Sequence, residues 1–262
     1  MFLPLGDENR PGAIFPIVNW SLIIANIVVF ALQIADPRIT YKFSMVPHEI
    51  VTGQDITEPT PISARGGGLG STVTIPHQPT PGTVYLTLLT SMFLHGSILH
   101  LLGNMWFLWI FGDNLEDALG RMRYLVFYIC SGLIADVAHI LVSLGEPERY
   151  IPTLGASGAI SGVLGGYIYL FPKSWVTGIL FRIVVTMPAM YALGIWFAYQ
   201  LVMAWLDQGG GVAYMAHIGG FLGGLLLVNV MGRRPDYAVA YDQYHGVRPG
   251  MQSWRRRRPS GY

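Results

Sequence analysis

The sequence predicts an all-α membrane protein, a six-transmembrane-helix bundle with a long first loop. Three observations predict it. Hydrophobic residues make up 52% of the 262-residue chain and charged residues only 12%. The mean hydropathy is +0.44. The apolar residues also gather into blocks of membrane-spanning length and not into short alternating runs. A net charge of +1 leaves no basic footprint for nucleic acid. The single cysteine, Cys130, excludes an intrachain disulfide framework and reads as a small core hydrophobe.

The first block runs from Phe15 to Ala35. Residues 1–14 before it read as an N-terminal cytoplasmic segment. Asp7 and Glu8 beside Arg10 make a poor basic leader, and no small-residue cleavage site follows, so the block is expected to be a retained helix. Residues 36–82, rich in Pro, Gly and Thr and carrying Arg65-Gly66-Gly67-Gly68-Leu69-Gly70, form the long extracytoplasmic first loop. A connection of that length suggests covering or gating.

The remaining blocks are Val84–Phe111, Tyr124–Leu144, Leu154–Phe171, Thr177–Leu206 and Val212–Met231. The second exceeds what a bilayer needs, so its first part is expected to be re-entrant or outside the span. The transmembrane domain thus covers 15–232, and 233–262 form a basic C-terminal tail. Arg121 and Arg123, Lys173 and Arg182, then Arg233, Arg234 and the Arg255–Arg258 run all fall on one side. By the positive-inside rule both termini are cytoplasmic, and the expected location is the plasma or inner membrane of the cell. The arginine run reads as a topology signal or a contact with anionic lipid.

Polar side chains inside hydrocarbon are costly and therefore point to function. His100 and Asn104 lie four residues apart, on one helical face, and could donate to a developing oxyanion; a packing pair would carry the same spacing. Ser157 sits at the start of the fourth block between Gly155 and Gly158, which strip side chains from around its hydroxyl. A helix start adds unpaired N–H donors and a positive dipole end. Residue 159 is alanine and no strand precedes Ser157, which excludes the nucleophile elbow of soluble hydrolases. His217, in the sixth block, could deprotonate a serine only if two helices nearly touch. Gly158, Gly162 and Gly166, facing Ala216, Gly220 and Gly224, would permit that approach.

At these residues the chain resembles the rhomboid family of intramembrane serine proteases. The matching features are His100-x-x-x-Asn104, Gly155-Ala156-Ser157-Gly158 and Ala216-His217-x-Gly219-Gly220, in family order. Gly103-Asn104-Met105-Trp106-Phe107-Leu108-Trp109 and Leu115-Glu116 are similar too, and the likeness covers about Val84 to Met231. It implies a rhomboid-like bundle with a Ser157–His217 dyad and no acidic third member. Ser157 would attack the peptide carbonyl, and His217 would serve as general base and then general acid. His100, Asn104 and the Ser157 backbone N–H would hold the oxyanion, with Gly155, Gly158 and Gly220 in support. The implied partners are single-span membrane proteins and the bilayer, with no cofactor and no metal. The chain departs from the family where an aromatic ring often follows the serine by four residues; here that residue is Ser161, which leaves the orientation of His217 open. It also lacks a Trp-Arg pair in the first loop.

Other polar residues read as structural. Asp136 and His139 suggest an interhelical bond or interfacial water before a third catalytic member. His95 suggests a brace for its loop, and Glu116 near Arg121 and Arg123 a pin for the turn. Trp106, Trp109 and Trp205 read as anchors, and Gly209–Gly211 suit a mobile gate. No His-Glu-x-x-His occurs. Two other classes compete: a non-proteolytic relative that retains transmembrane clients, and a transporter. The first would lack the serine or histidine, and the second would show internal repeats, which are absent. Substrate identity and oligomeric state are not legible.

Overall fold

The computed structural model describes residues 2–9, 12–63, 72–145, 147–206, 212–234 and 237. The glycine-rich run at 64–71, the Gly209–Gly211 gate and the Arg255–Arg258 run lie outside them. Long apolar runs without interior proline become helices, because in hydrocarbon a helix satisfies its own backbone polar groups.

Strand β1 (Phe2–Asp7) precedes helix α1 (Ile17–Ala35). The first loop holds two short helices, α2 (Arg38–Phe43) and α3 (Pro47–Thr52), and the hairpin β2 (Thr60–Ser63) and β3 (Thr72–Ile75). The second apolar block breaks in two. Its first part is a chain of short turns over Val84–Phe93, including α4 (Thr87–Thr90), and α5 (Ile98–Leu119) leaves it at 78°. The excess length of that block is thus taken up by a sharp bend. Helix α6 (Arg121–Val142) follows, then α7 (Ser157–Leu170). A hairpin of β4 (Trp175–Leu180) and β5 (Ile183–Pro188) precedes α8 (Ala189–Leu206) and α9 (Tyr214–Met231).

The chain is an integral membrane protein and mostly helical. Among the described residues, α1, α6, α8 and α9 are long and apolar enough to cross a membrane, and the bent pair is a fifth candidate. Helix α7 is short: its 14 residues rise about 21 Å against a hydrocarbon core of about 30 Å. It is buried along most of its length, in the middle of the bundle.

Two expectations are corrected. The fold is not purely helical, since β4 pairs with both β1 and β5 in an antiparallel sheet of order β1-β4-β5. The fifth block accordingly does not start as helix at Thr177. Its opening is rich in β-branched residues, and the tight turn between the strands puts Phe181 and Arg182 at positive φ. Glu116 reaches Arg121 as its place beside the turn suggested, and does more. Its carboxylate accepts from the backbone N–H of Val18 (3.1 Å) and Asn19 (2.7 Å), so it occupies the open N-terminus of α1, with Arg121 4.0 Å away.

The core of the bundle is set by close helix approach. Hydrogens at Gly220 and Gly224 face the carbonyl oxygens of Gly158 and Gly162, where any side chain would overlap backbone. The expected small-residue seam between α7 and α9 is therefore present, with one slip. Gly166 faces Phe127 and Leu115, and Gly165 takes the third contact, against the Phe221 carbonyl. A four-residue repeat drifts around a 3.6-residue helix, which explains the slip.

Candidate active site

Three segments meet near the start of α7. The strand of chain entering α7 is pinned on two sides. Thr153 exchanges backbone hydrogen bonds with Met45 of the first loop (3.0 and 2.7 Å), and the Gly155 N–H donates to the Ser91 carbonyl at 2.9 Å. Gly155 has φ +129°, and a Cβ there would stand 2.8 Å from His100 Cε1. Backbone conformation and space thus both demand glycine at this position. The first backbone bond recorded into α7 is Ile160 N–H to the Ala156 carbonyl. The N–H groups of Ser157, Gly158 and Ala159 precede it, at the positive end of the helix.

Ser157 Oγ and His217 Nε2 lie 2.9 Å apart. The other imidazole nitrogen, Nδ1, lies 2.9 Å from Gln200 Oε1 on α8. An amide oxygen only accepts, so Nδ1 carries the proton and Nε2 presents its lone pair to the serine O–H. This is the tautomer a general base needs. The Trp196 ring, one turn earlier on α8, lies 6.2 Å from the imidazole at a 36° tilt. The question left open by Ser161 has a structural answer: its hydroxyl turns away and donates to the Ser157 carbonyl at 2.6 Å. Gln200 escaped the sequence reading, although a glutamine inside an apolar block is the kind of signal that could have found it.

His100 and Asn104 occupy the first two turns of α5, stacked as their spacing requires. Ser97 caps that helix, accepting from the His100 N–H at 3.1 Å. His100 Nδ1 accepts a long bond, 3.5 Å, from the Gly96 N–H, which leaves Nε2–H as a donor. A Cβ on Gly155 would stand 3.0 Å from His100 Nε2 and 3.6 Å from Ser157 Oγ, so both border the same small space. Asn104 spends one amide hydrogen on His95 Nε2 at 2.9 Å and keeps the second. His95 is a brace, as its position suggested. Its backbone N–H and carbonyl are both held by the Gln33 side chain of α1, at 2.9 and 3.2 Å.

Asp136 and His139 do not pair with each other. His139 Nε2 bonds Thr153 Oγ1 (2.9 Å) and Ser143 Oγ (3.3 Å), tying the end of α6 to the segment that enters α7. Asp136 is buried, with one carboxylate oxygen unbonded among the described residues. Trp106 anchors more than a membrane face: its indole N–H donates to the Pro4 carbonyl of β1 at 2.7 Å. No metal-binding cluster of His, Cys, Asp and Glu occurs among the described residues.

A serine hydroxyl bonded to an imidazole thus stands at the start of a central helix, inside a bundle of membrane-length helices. The rhomboid domain model matches residues 82–234, and the chain belongs to the rhomboid family. The chain is 36% identical over 154 residues to Rhomboid protein 1, mitochondrial, of Saccharomyces cerevisiae, covering 55% of this chain and 41% of that one. To RHOMBOID-like protein 5 of Arabidopsis thaliana it is 32% identical over 163 residues, 62% of this chain and 48% of the relative. The human Presenilin-associated rhomboid-like protein, mitochondrial, is 31% identical over 147 residues, 54% of this chain and 36% of its own length. The chain therefore spans less than half the length of these three relatives.

Proposed function

We propose that this chain is an intramembrane serine endopeptidase that cuts transmembrane segments of single-span membrane proteins. The observation that carries the reading is the 2.9 Å contact between Ser157 Oγ and His217 Nε2. Ser157 Oγ attacks the scissile carbonyl carbon while its proton passes to His217 Nε2. The resulting oxyanion is held by the Ser157 N–H, His100 Nε2–H and the free amide hydrogen of Asn104. Collapse breaks the C–N bond, and His217 returns the proton to the departing amine. A water then attacks the acyl-enzyme along the same route, releasing the acid and restoring the serine. Gly155, Gly158 and Gly220 support the dyad by close backbone approach.

In this reading α7 and the bent pair complete a six-span bundle, with residues 36–82 outside and both termini cytoplasmic. The membrane is the plasma or inner membrane; because two of the relatives above carry "mitochondrial" in their names, fractionation against organelle markers tests that choice. An extended backbone must reach Ser157, so preferred substrates carry helix-destabilising residues near the cut. The deciding experiment offers purified protein in detergent a single-span substrate. Wild type cleaves it and Ser157→Ala does not. Equal cleavage by both removes the assigned nucleophile, and substrate bound but uncut by wild type favours a client-retaining relative.

A further inference from the structure

Helix α8 turns half of its residues outward, among them Tyr191, Ile195, Tyr199, Leu201, Val202 and Trp205. Beyond Leu193, the buried residue on this helix is a glutamine, Gln200, only 4% exposed. An amide inside an apolar helix carries a desolvation cost unless it is bonded. The bond recorded for Gln200 is the one to His217 Nδ1. Among the described residues no second hydrogen bond holds that nitrogen: Ser161 is engaged with the Ser157 carbonyl, and Trp196 and Tyr214 meet the imidazole through their rings.

We propose that Gln200 is the positioning residue of the dyad: its carbonyl oxygen holds the His217 Nδ1–H, and thereby keeps Nε2 unprotonated and aimed at Ser157. The inference rests on the protease reading above. It assigns to α8 a role that the sequence placed nowhere, and it replaces the missing aromatic at residue 161 with a hydrogen bond from a different helix. A neutral amide orients the ring without the strong stabilisation of imidazolium that a carboxylate would give. The two functions, orienting and charge-stabilising, are therefore separable at this one residue.

Gln200→Leu keeps volume and suits an apolar helix, so the bundle is expected to fold, yet it removes the acceptor. Gln200→Glu restores an acceptor and adds charge. The readouts are the rate at which a fluorophosphonate probe labels Ser157, kcat and KM on a single-span substrate, and the pH profile of each. For Gln200→Leu, kcat and the labelling rate fall roughly 10- to 100-fold with KM little changed. For Gln200→Glu, activity returns at high pH, and the acid limb moves up by roughly one pH unit, because a neighbouring carboxylate favours protonated His217. A Gln200→Leu protein that labels at the wild-type rate overturns the proposal. So does a Gln200→Glu profile that superimposes on wild type, which also decides the matter should the leucine variant fail to fold. Wild-type protein that does not label at all sinks the protease reading itself, and this inference falls with it.

Discussion

Helix α9 meets α7 and α8 in contacts of opposite character. Against α7 it is a backbone seam, in which Gly220 and Gly224 rest on the carbonyls of Gly158 and Gly162. Against α8 it is a side-chain contact, with Phe197 stacked on Phe221 at 4.3 Å and Trp196 leaning toward His217. Gly194 of α8 has open space where a Cβ would be. A seam made of backbone has no rotamers to adjust, so it holds the two helices bearing Ser157 and His217 at one separation. A contact made of rings can shift by rotamer change. The molecule fixes the distance between serine and histidine rigidly and leaves the third side of the histidine to an adaptable helix.

The contrast predicts an ordered set of effects. Gly220→Val should be the most damaging, because the new side chain overlaps the Gly158 carbonyl. A loss of about 3 kcal/mol or more is expected, read as a lowered unfolding midpoint in detergent together with lost probe labelling. Were this variant to fold and label normally, the rigid-seam account would be wrong. Gly155→Ala comes next. Its φ of +129° and the 2.8 Å approach to His100 Cε1 should abolish labelling of Ser157, while the unfolding midpoint moves by much less than for Gly220→Val. Equal losses of midpoint in the two variants would erase the distinction between seam and site.

A third prediction concerns pH at the sheet edge. Burial, reinforced by the charge of Asp113, raises the Asp7 carboxyl to about 7, against the hydrogen bonds from Tyr167 and Asn114 that lower it. Both donors reach Asp7 Oδ2 at 2.7 Å. A carboxyl whose folded pKa lies above its unfolded one binds more protons when folded, so its contribution to stability declines as pH rises through the window from about 4 to about 7 and is flat above it. Amide exchange in Phe2–Asp7 should thus be slower at pH 5 than at pH 8, after correction for intrinsic exchange. Asp7→Asn should remove the difference, and an unchanged difference would put its origin elsewhere. The smallest effect belongs to Gly194→Ala. With no neighbour to strike, it should leave labelling unchanged and stabilise α8 by about 0.5–1 kcal/mol; a loss of activity would show α8 to be as tightly seated as α7.

Much of this was readable in the sequence because bilayers simplify it. Apolar blocks of spanning length mark helices, and polar exceptions such as Ser157, His217, His100 and Asn104 stand out against them. The glycine faces at 158, 162, 220 and 224 were legible for the same reason. The β4-β5 hairpin was not. Thr177, Ile179, Val184 and Val185 lie in a run as hydrophobic as a helix, so hydropathy merged them with the block that follows, although their β-branching differs. Strand β1 was hidden because its partner is remote: Phe2 lies opposite Leu180. Gln200 was passed over because a single amide carries no periodicity, and its partner, His217, lies on the next helix.

That remote pairing has a consequence for biosynthesis. Strand β1 is made before its partner and stays single until Trp175–Leu180 have left the ribosome, and Ser157 has no His217 beside it until α9 follows. The sheet can therefore close as soon as its hairpin is made, whereas the Ser157–His217 contact waits until α9 is delivered to the membrane.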